Sequence, residues 1–143
     1  VHHLDRFLDS TSAVRFHFGE VLLSAGARAL VILAVGFPFP SILVFEALLL
    51  CATIFHHSNL RLPAAIERAL SRLIITPSIH WVHHHAVRTD TDSNYGTLFS
   101  VWDRLLRTRS PTVRTPTMPI GVEAKAERTL PALLARPFRA RAD

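Results

Sequence analysis

Residues 21–55 read VLLSAGARALVILAVG (21–36), FPFP (37–40) and SILVFEALLLCATIF (41–55). Each apolar run is about fifteen residues long, roughly 22–25 Å as helix, against about twenty residues for a full bilayer span. Proline lacks an amide hydrogen and disfavours helix in the residue before it, so the Phe37-Pro38-Phe39-Pro40 break should stop the first helix. Ser41 is the expected N-cap of the second. Two readings fit: a buried hairpin of a soluble α-protein, or a membrane hairpin. The uncharged aromatic bend favours lipid. Arginines flank both outer ends, Arg6 and Arg15 before and Arg61, Arg68 and Arg72 after. A hairpin puts both flanks on one side, expected to be cytoplasmic by the positive-inside rule. Arg28 and Glu46 stand at similar distances from the bend. A lone charge at bilayer depth costs about 2.5–3.5 kcal/mol, so the two are expected to pair.

The 143 residues fit one domain, and 49% apolar composition with mean hydropathy +0.26 excludes a disordered chain. One cysteine, Cys51, excludes a disulfide framework or a Cys-rich zinc ribbon. The net charge is +5. Residues 1–105 hold eight basic and eight acidic side chains, whereas 106–143 hold eight and three. The high pI therefore reports a basic tail, not a nucleic-acid-binding body. No secretory signal pattern is present. The chain opens on Val1 and His2-His3, and it is expected to be a fragment of a longer protein.

After the hairpin, 63–75 reads as an amphipathic helix. Ile66, Leu70, Leu73 and Ile74 share one stripe, with Pro63 at the first position. It suits either a membrane surface or the surface of a soluble domain. Thr76-Pro77 is an N-cap followed by N1 proline and starts another helix. Residues 88–96 (RTDTDSNYG) read as a loop and 97–107 as a short helix. From 110 onward, five prolines and scattered arginines read as a loosely ordered tail, partly helical over 122–136.

Eight of nine histidines fall in three groups: His2-His3, His56-His57, and His80 with His83-His84-His85. In H-x-x-H-H, positions i, i+3 and i+4 share a helix face, so His80, His83 and His84 project together. Converging neutral imidazoles suit iron, zinc or copper. The hairpin brings all three groups to one side of the membrane. They are too many for one tetrahedral zinc, and two metals are the natural reading. His57 is favoured over His56 as a ligand. His85 points about 100° from His84 and is expected to support the ligands or face solvent. His17 stands apart, in a structural or supporting role.

Several segments together resemble the fatty acid hydroxylase / sterol desaturase superfamily. They are Arg15-Phe16-His17 with Glu20, His56-His57-Ser58-Asn59, Thr76 to His84, Asp92-Ser93-Asn94-Tyr95-Gly96, and Trp102-Asp103-Arg104-Leu105. The match runs in order from residue 1 to about 108. By that resemblance, 1–108 is a partial hydroxylase-like domain and 109–143 its basic, Pro-rich tail. The resemblance implies an all-α integral membrane protein with cytoplasmic histidine-bearing helices. It implies two irons, with zinc as a substitute, and His2, His3, His57, His80, His83 and His84 as ligands. His17, His56, His85, Asp92, Asn94 and Asp103 would serve as further ligands or as supports, the acidic and amide groups accepting an imidazole N–H. The family's upstream H-x-x-x-H box and the leading histidine of its middle box do not occur in the chain, Phe18 stands where proline is frequent, and His85 is extra.

The expected function is O2-dependent hydroxylation or desaturation of an apolar membrane lipid. A cytochrome b5 or ferredoxin type of donor would supply electrons. A zinc-dependent membrane hydrolase ranks low, because the chain has no H-E-x-x-H. A non-catalytic membrane remnant is the reading of a different class.

Overall fold

The computed structural model describes residues 2–122 and 129–138. Among these the regular elements are all helical, and only isolated bridges join Ile74 to Phe99 and His85 to Ile120. Helix α1 spans Phe18–Val35 and α2 spans Phe39–His57. α1 begins three residues before the apolar run because His17 caps it, its Nδ1 accepting the Gly19 amide at 3.1 Å. It ends at Gly36, whose left-handed φ of 75° lets its amide close on the Ile32 carbonyl. α2 starts at Phe39 with Pro38 as N-cap, not at Ser41. Pro38 is extended (ψ 142°), and Pro40 sits within the first turn, where a missing amide hydrogen costs nothing.

At 18 and 19 residues the helices are about 27 and 28 Å long, close to the hydrocarbon thickness of about 30 Å. No residue of α1 is buried, and α2 buries only His56 and His57. Helices apolar all round and left uncovered by protein fit a lipid surrounding. Both are long and apolar enough to cross a membrane. The expected cross-hairpin pair forms, with Arg28 Nη1 3.4 Å from Glu46 Oε1. It borders a cavity of about 480 Å³ lined by Ile32, Phe37, Ile42 and Phe45.

The segment expected to be one helix over 63–75 is helical only over Ala64–Leu70, as α3. Beyond it the chain turns and Ile74-Ile75 extends beside 98–100, with Ile75 N bonding Leu98 O and Ser100 N bonding Leu73 O. The β-branched pair before Pro77 disfavours continued helix. Of the anticipated stripe, Ile66 and Leu73 remain exposed. α4 (Pro77–His83) has the expected cap, the Thr76 hydroxyl accepting from Ile79 N. The segment read as a loop contains the single turn α5 (Arg88–Thr91), and α6 covers Val101–Leu105. α7 (Leu130–Ala135) falls within the stretch read as partly helical, while 123–128 lie outside the described residues.

The stretch 110–122 departs from the loose tail anticipated. Met118 and Ile120 are buried with Leu8, Trp81 and Val82 in one cluster. Met118 and Ile120 alternate with the exposed Pro119, but the alternation is too short and too interrupted by proline and glycine to mark them as core from sequence. The base of α2 packs on α4 and on the 3-10 turn Ser10–Val14, whose Asp9 caps it through Thr11 N and Ser12 N. These contacts place the ends of three chain segments beneath the hairpin.

Candidate metal centre

Four buried imidazoles, from His2, His57, His80 and His84, bring one ring nitrogen each to within 4.8 Å of all the others. The Nε2 of His57 lies 3.0 Å from that of His2 and 2.9 Å from that of His80. His80 Nε2 in turn lies 3.1 Å from His84 Nε2. Three elements supply them: the 3-10 turn His2–Leu4, the C-terminus of α2, and α4 with its C-cap His84.

The tautomers follow from the carbonyls. His57 Nδ1 lies 2.8 Å from Thr53 O, and His83 Nδ1 lies 2.6 Å from Ser93 O. A carbonyl only accepts, so each Nδ1 carries the hydrogen and each neutral ring presents an Nε2 lone pair. Each Nε2 makes at most one well-directed hydrogen bond, so four nitrogens in a row satisfy two of their three contacts. The remaining contact sets lone pairs or hydrogens against each other. Among the described residues the buried Nδ1 atoms of His3, His80 and His84 have no hydrogen-bond partner. A cation among the Nε2 atoms removes the conflict. Around an ion bound at about 2.1 Å, nitrogens at right angles stand about 3.0 Å apart, as they do here. The donor set therefore fits a metal.

Burial holds these rings neutral. It lowers His2 to about 3, helped by the neighbouring His57, and His3 to about 4, helped by His83. His80 is pushed well below its ordinary value by complete burial, then by His56 and His84. His84 is lowered by burial, then by His3 and His2. For His83 burial outweighs the opposing Ser93 carbonyl and the charges of Asp103 and Asp92.

Three further rings adjoin the four. His3 stacks on His84 at 4.4 Å between centroids and meets His83 edge-on at 4.6 Å. His56, ranked below His57 from sequence, is as fully buried as His57, with its ring 4.0 Å from that of His80. Both rings meet that of His80, at 4.0 and 4.2 Å between centroids, so at the last turn of α2 neither points away from the cluster.

The remaining expected residues lie elsewhere. His17 caps α1, and its Nε2 reaches Leu134 O at 3.2 Å. His85 turns from the cluster to Asp90, Nδ1 to Oδ2 at 2.7 Å, and Asp90 also accepts from the Ser110 and Thr112 hydroxyls. Asp92 pairs with Arg88. Asn94 donates to Ile79 O and accepts from Ser110 N. Asp103 accepts from Tyr95 N, Gly96 N and the Thr108 hydroxyl. None of these three accepts an imidazole N–H among the described residues. The carbonyls of Thr53 and Ser93 do so instead, and a backbone acceptor has no side-chain signature in the sequence. Asp103 holds the 94–96 turn that presents Ser93 O, and a Cβ on Gly96 would stand 2.8 Å from Asp103 Oδ2.

Comparison with known proteins agrees with this geometry. The chain is 28% identical over 138 residues to the ornithine lipid hydroxylase OlsE of Rhizobium tropici, a match covering 96% of this chain and 41% of that protein. The chain thus spans about two fifths of the length of that curated relative. No solved structure matches it. Residues 1–108 match the Fatty acid hydroxylase family model, about three quarters of the 143, and the chain belongs to that family.

Proposed function

We propose that this protein is an O2-dependent di-iron hydroxylase acting on a C–H bond of a membrane lipid. The observation that carries the reading is the row of buried Nε2 atoms from His2, His57, His80 and His84 at the foot of two apolar helices. Membership of the hydroxylase family and similarity to a lipid hydroxylase support the reaction class. His2, His3, His57, His80, His83 and His84 would hold the metals, and His56, buried against His80, joins them as a candidate. When bound, an iron pair supplies O2 activation: one oxygen atom enters the C–H bond, the other leaves as water, and a donor provides two electrons and two protons.

The chain's own residues orient, exclude water and bind. Thr53 O and Ser93 O fix the rings of His57 and His83 with Nε2 free. Burial keeps the imidazoles unprotonated and water away from the centre. The exposed apolar flanks of α1 and α2 let an acyl chain reach the site from the bilayer. The arginines beside the hairpin favour a site on the cytoplasmic side. The positive charge excess of 106–143 suits an acidic electron donor of the cytochrome b5 or ferredoxin type.

The test is reconstitution in lipid nanodiscs with ferrous iron, a reductase–donor pair and 18O2. Mass spectrometry of the lipids should show a gain of one 18O per hydroxylated product. Unlabelled lipid from a protein that holds two irons per chain would contradict the reaction class.

A further inference from the structure

Residues 110–122 lie beyond the stretch that the family model matches, yet they touch each segment that bears the clustered histidines. We infer that this strap is a positioning element of the metal centre, with Arg114 as the residue that locks the His56-His57 turn against the His80–His84 segment. The inference rests on the metal-centre reading above, and the experiment separates the two.

Arg114 Nη1 donates to Leu60 O at 2.8 Å and Nη2 to Asn59 Oδ1 at 2.8 Å. Both acceptors lie just past His57. The same guanidinium lies over the Trp81 ring, 3.8 Å from its centroid, and Trp81 follows His80 in the box helix. Trp81 Nε1 also donates to Ser58 O at 3.3 Å, so ring and guanidinium clamp the same turn. A planar fork that bonds along its edges while stacking by its face is open to arginine and closed to lysine. Further along, Gly121 N donates to His84 O at 3.0 Å and Val122 N to His3 O at 3.1 Å. Two successive amides thus hold the backbones of the two histidines whose rings stack at 4.4 Å. Gly121 has φ +95°, and a Cβ there would stand 2.7 Å from Asp5 O, so the close approach requires glycine. Ala86 N bonds Pro119 O, and Met118 and Ile120 bury their side chains beside Trp81 and Val82. Ligands drawn from separate segments bind one ion well only if those segments are held to within about 0.5 Å, and supporting groups of this kind are worth about 10–100-fold in metal affinity.

The experiment uses the protein in nanodiscs with Co(II) as the metal probe. It reads affinity by chelator competition, the visible Co(II) spectrum, and thermal unfolding of the metal-free protein. Arg114→Lys and Arg114→Ala should weaken Co(II) binding about 10–100-fold and alter the spectrum. Val113→Ala, on an exposed strap side chain, should change neither. Asn59 is exposed, so Asn59→Ala leaves the fold intact even if the Arg114 variants do not accumulate; it should cost several-fold in affinity. Wild-type affinity and spectrum in Arg114→Lys or Asn59→Ala overturn the inference while leaving the metal centre standing. A wild-type protein that binds no Co(II) overturns both.

Discussion

The Nε2 atoms of His57 and His80 face each other at 2.9 Å, although the residues stand 23 positions apart and belong to different helices. The Thr53 carbonyl takes the hydrogen of His57 Nδ1, so the nitrogen that faces His80 is a lone pair. Among the described residues His80 Nδ1 has no hydrogen-bond partner. A hydrogen on His80 Nε2 satisfies this one contact but not those of the row to His2 and His84 as well, whereas a cation shared by the four would satisfy them all.

His80 and His85 separate ligand from neighbour. His80→Ala should abolish high-affinity metal binding. His85→Ala should leave it within about threefold of wild type while costing about 1–2 kcal/mol of stability through the lost contact to Asp90. Chelator competition and thermal unfolding of both variants check this. Equal metal loss in the two would remove the distinction.

In the metal-free protein His2 lies at about 3, His3 at about 4, and His80 and His84 are likewise depressed, all below the ordinary value near 6.5. Between those folded values and about 6.5 the unfolded chain binds more protons than the folded one, so stability rises with pH. The contribution is complete above about 6.5 and is lost as pH falls toward 4 and below. Tm of the metal-free protein should fall steadily from pH 7 to pH 4.5. Metal binding to the folded protein should hold across that window, because its imidazoles are already unprotonated, and should weaken only as pH falls toward 4 and below. A Tm independent of pH across it would contradict the buried neutral cluster.

His17 is a cap. His17→Ala should cost about 1 kcal/mol by orphaning the Gly19 amide, and His17→Asn, which restores an acceptor there, should recover most of it. Metal content should be unchanged in both. Metal loss in His17→Asn would place this ring in the centre after all.

Asp103 is almost fully buried and accepts from Tyr95 N, Gly96 N and the Thr108 hydroxyl. Asp103→Asn keeps one accepting oxygen and turns an NH2 toward the other donors. It should cost about 3 kcal/mol and loosen the turn that presents Ser93 O to His83. Chemical denaturation of the two proteins side by side measures it, and a loss below about 1 kcal/mol would show that the turn holds without the carboxylate.

The hairpin was legible because its signal is local: two apolar runs, a proline break, and charges only at the flanks and at Arg28 and Glu46. The approach of His80 and His84 was legible from helical spacing, although α4 ends at His83, His84 reaches the cluster from the C-cap position, and His83 stands beside the four with its Nδ1 on Ser93 O. His56 is buried as fully as the favoured His57, which helical geometry alone does not show, although only His57 brings a nitrogen into the four-imidazole cluster. Helical geometry placed the start of α1 late, because histidine is a rare N-cap and gives no cue. The buttressing carbonyls of Thr53 and Ser93 and the strap through Arg114, Met118 and Ile120 are long-range or backbone features. In so short and proline-rich a stretch the core residues show only after the chain has folded around them.

X-ray absorption of the iron-loaded protein in nanodiscs, compared with its His57→Ala and His80→Ala variants, tests the centre most directly. We expect two irons per chain with several imidazole nitrogens at about 2.1 Å, and loss of that signal in both variants. Iron bound through oxygen ligands alone, or a spectrum unchanged by either substitution, would contradict it.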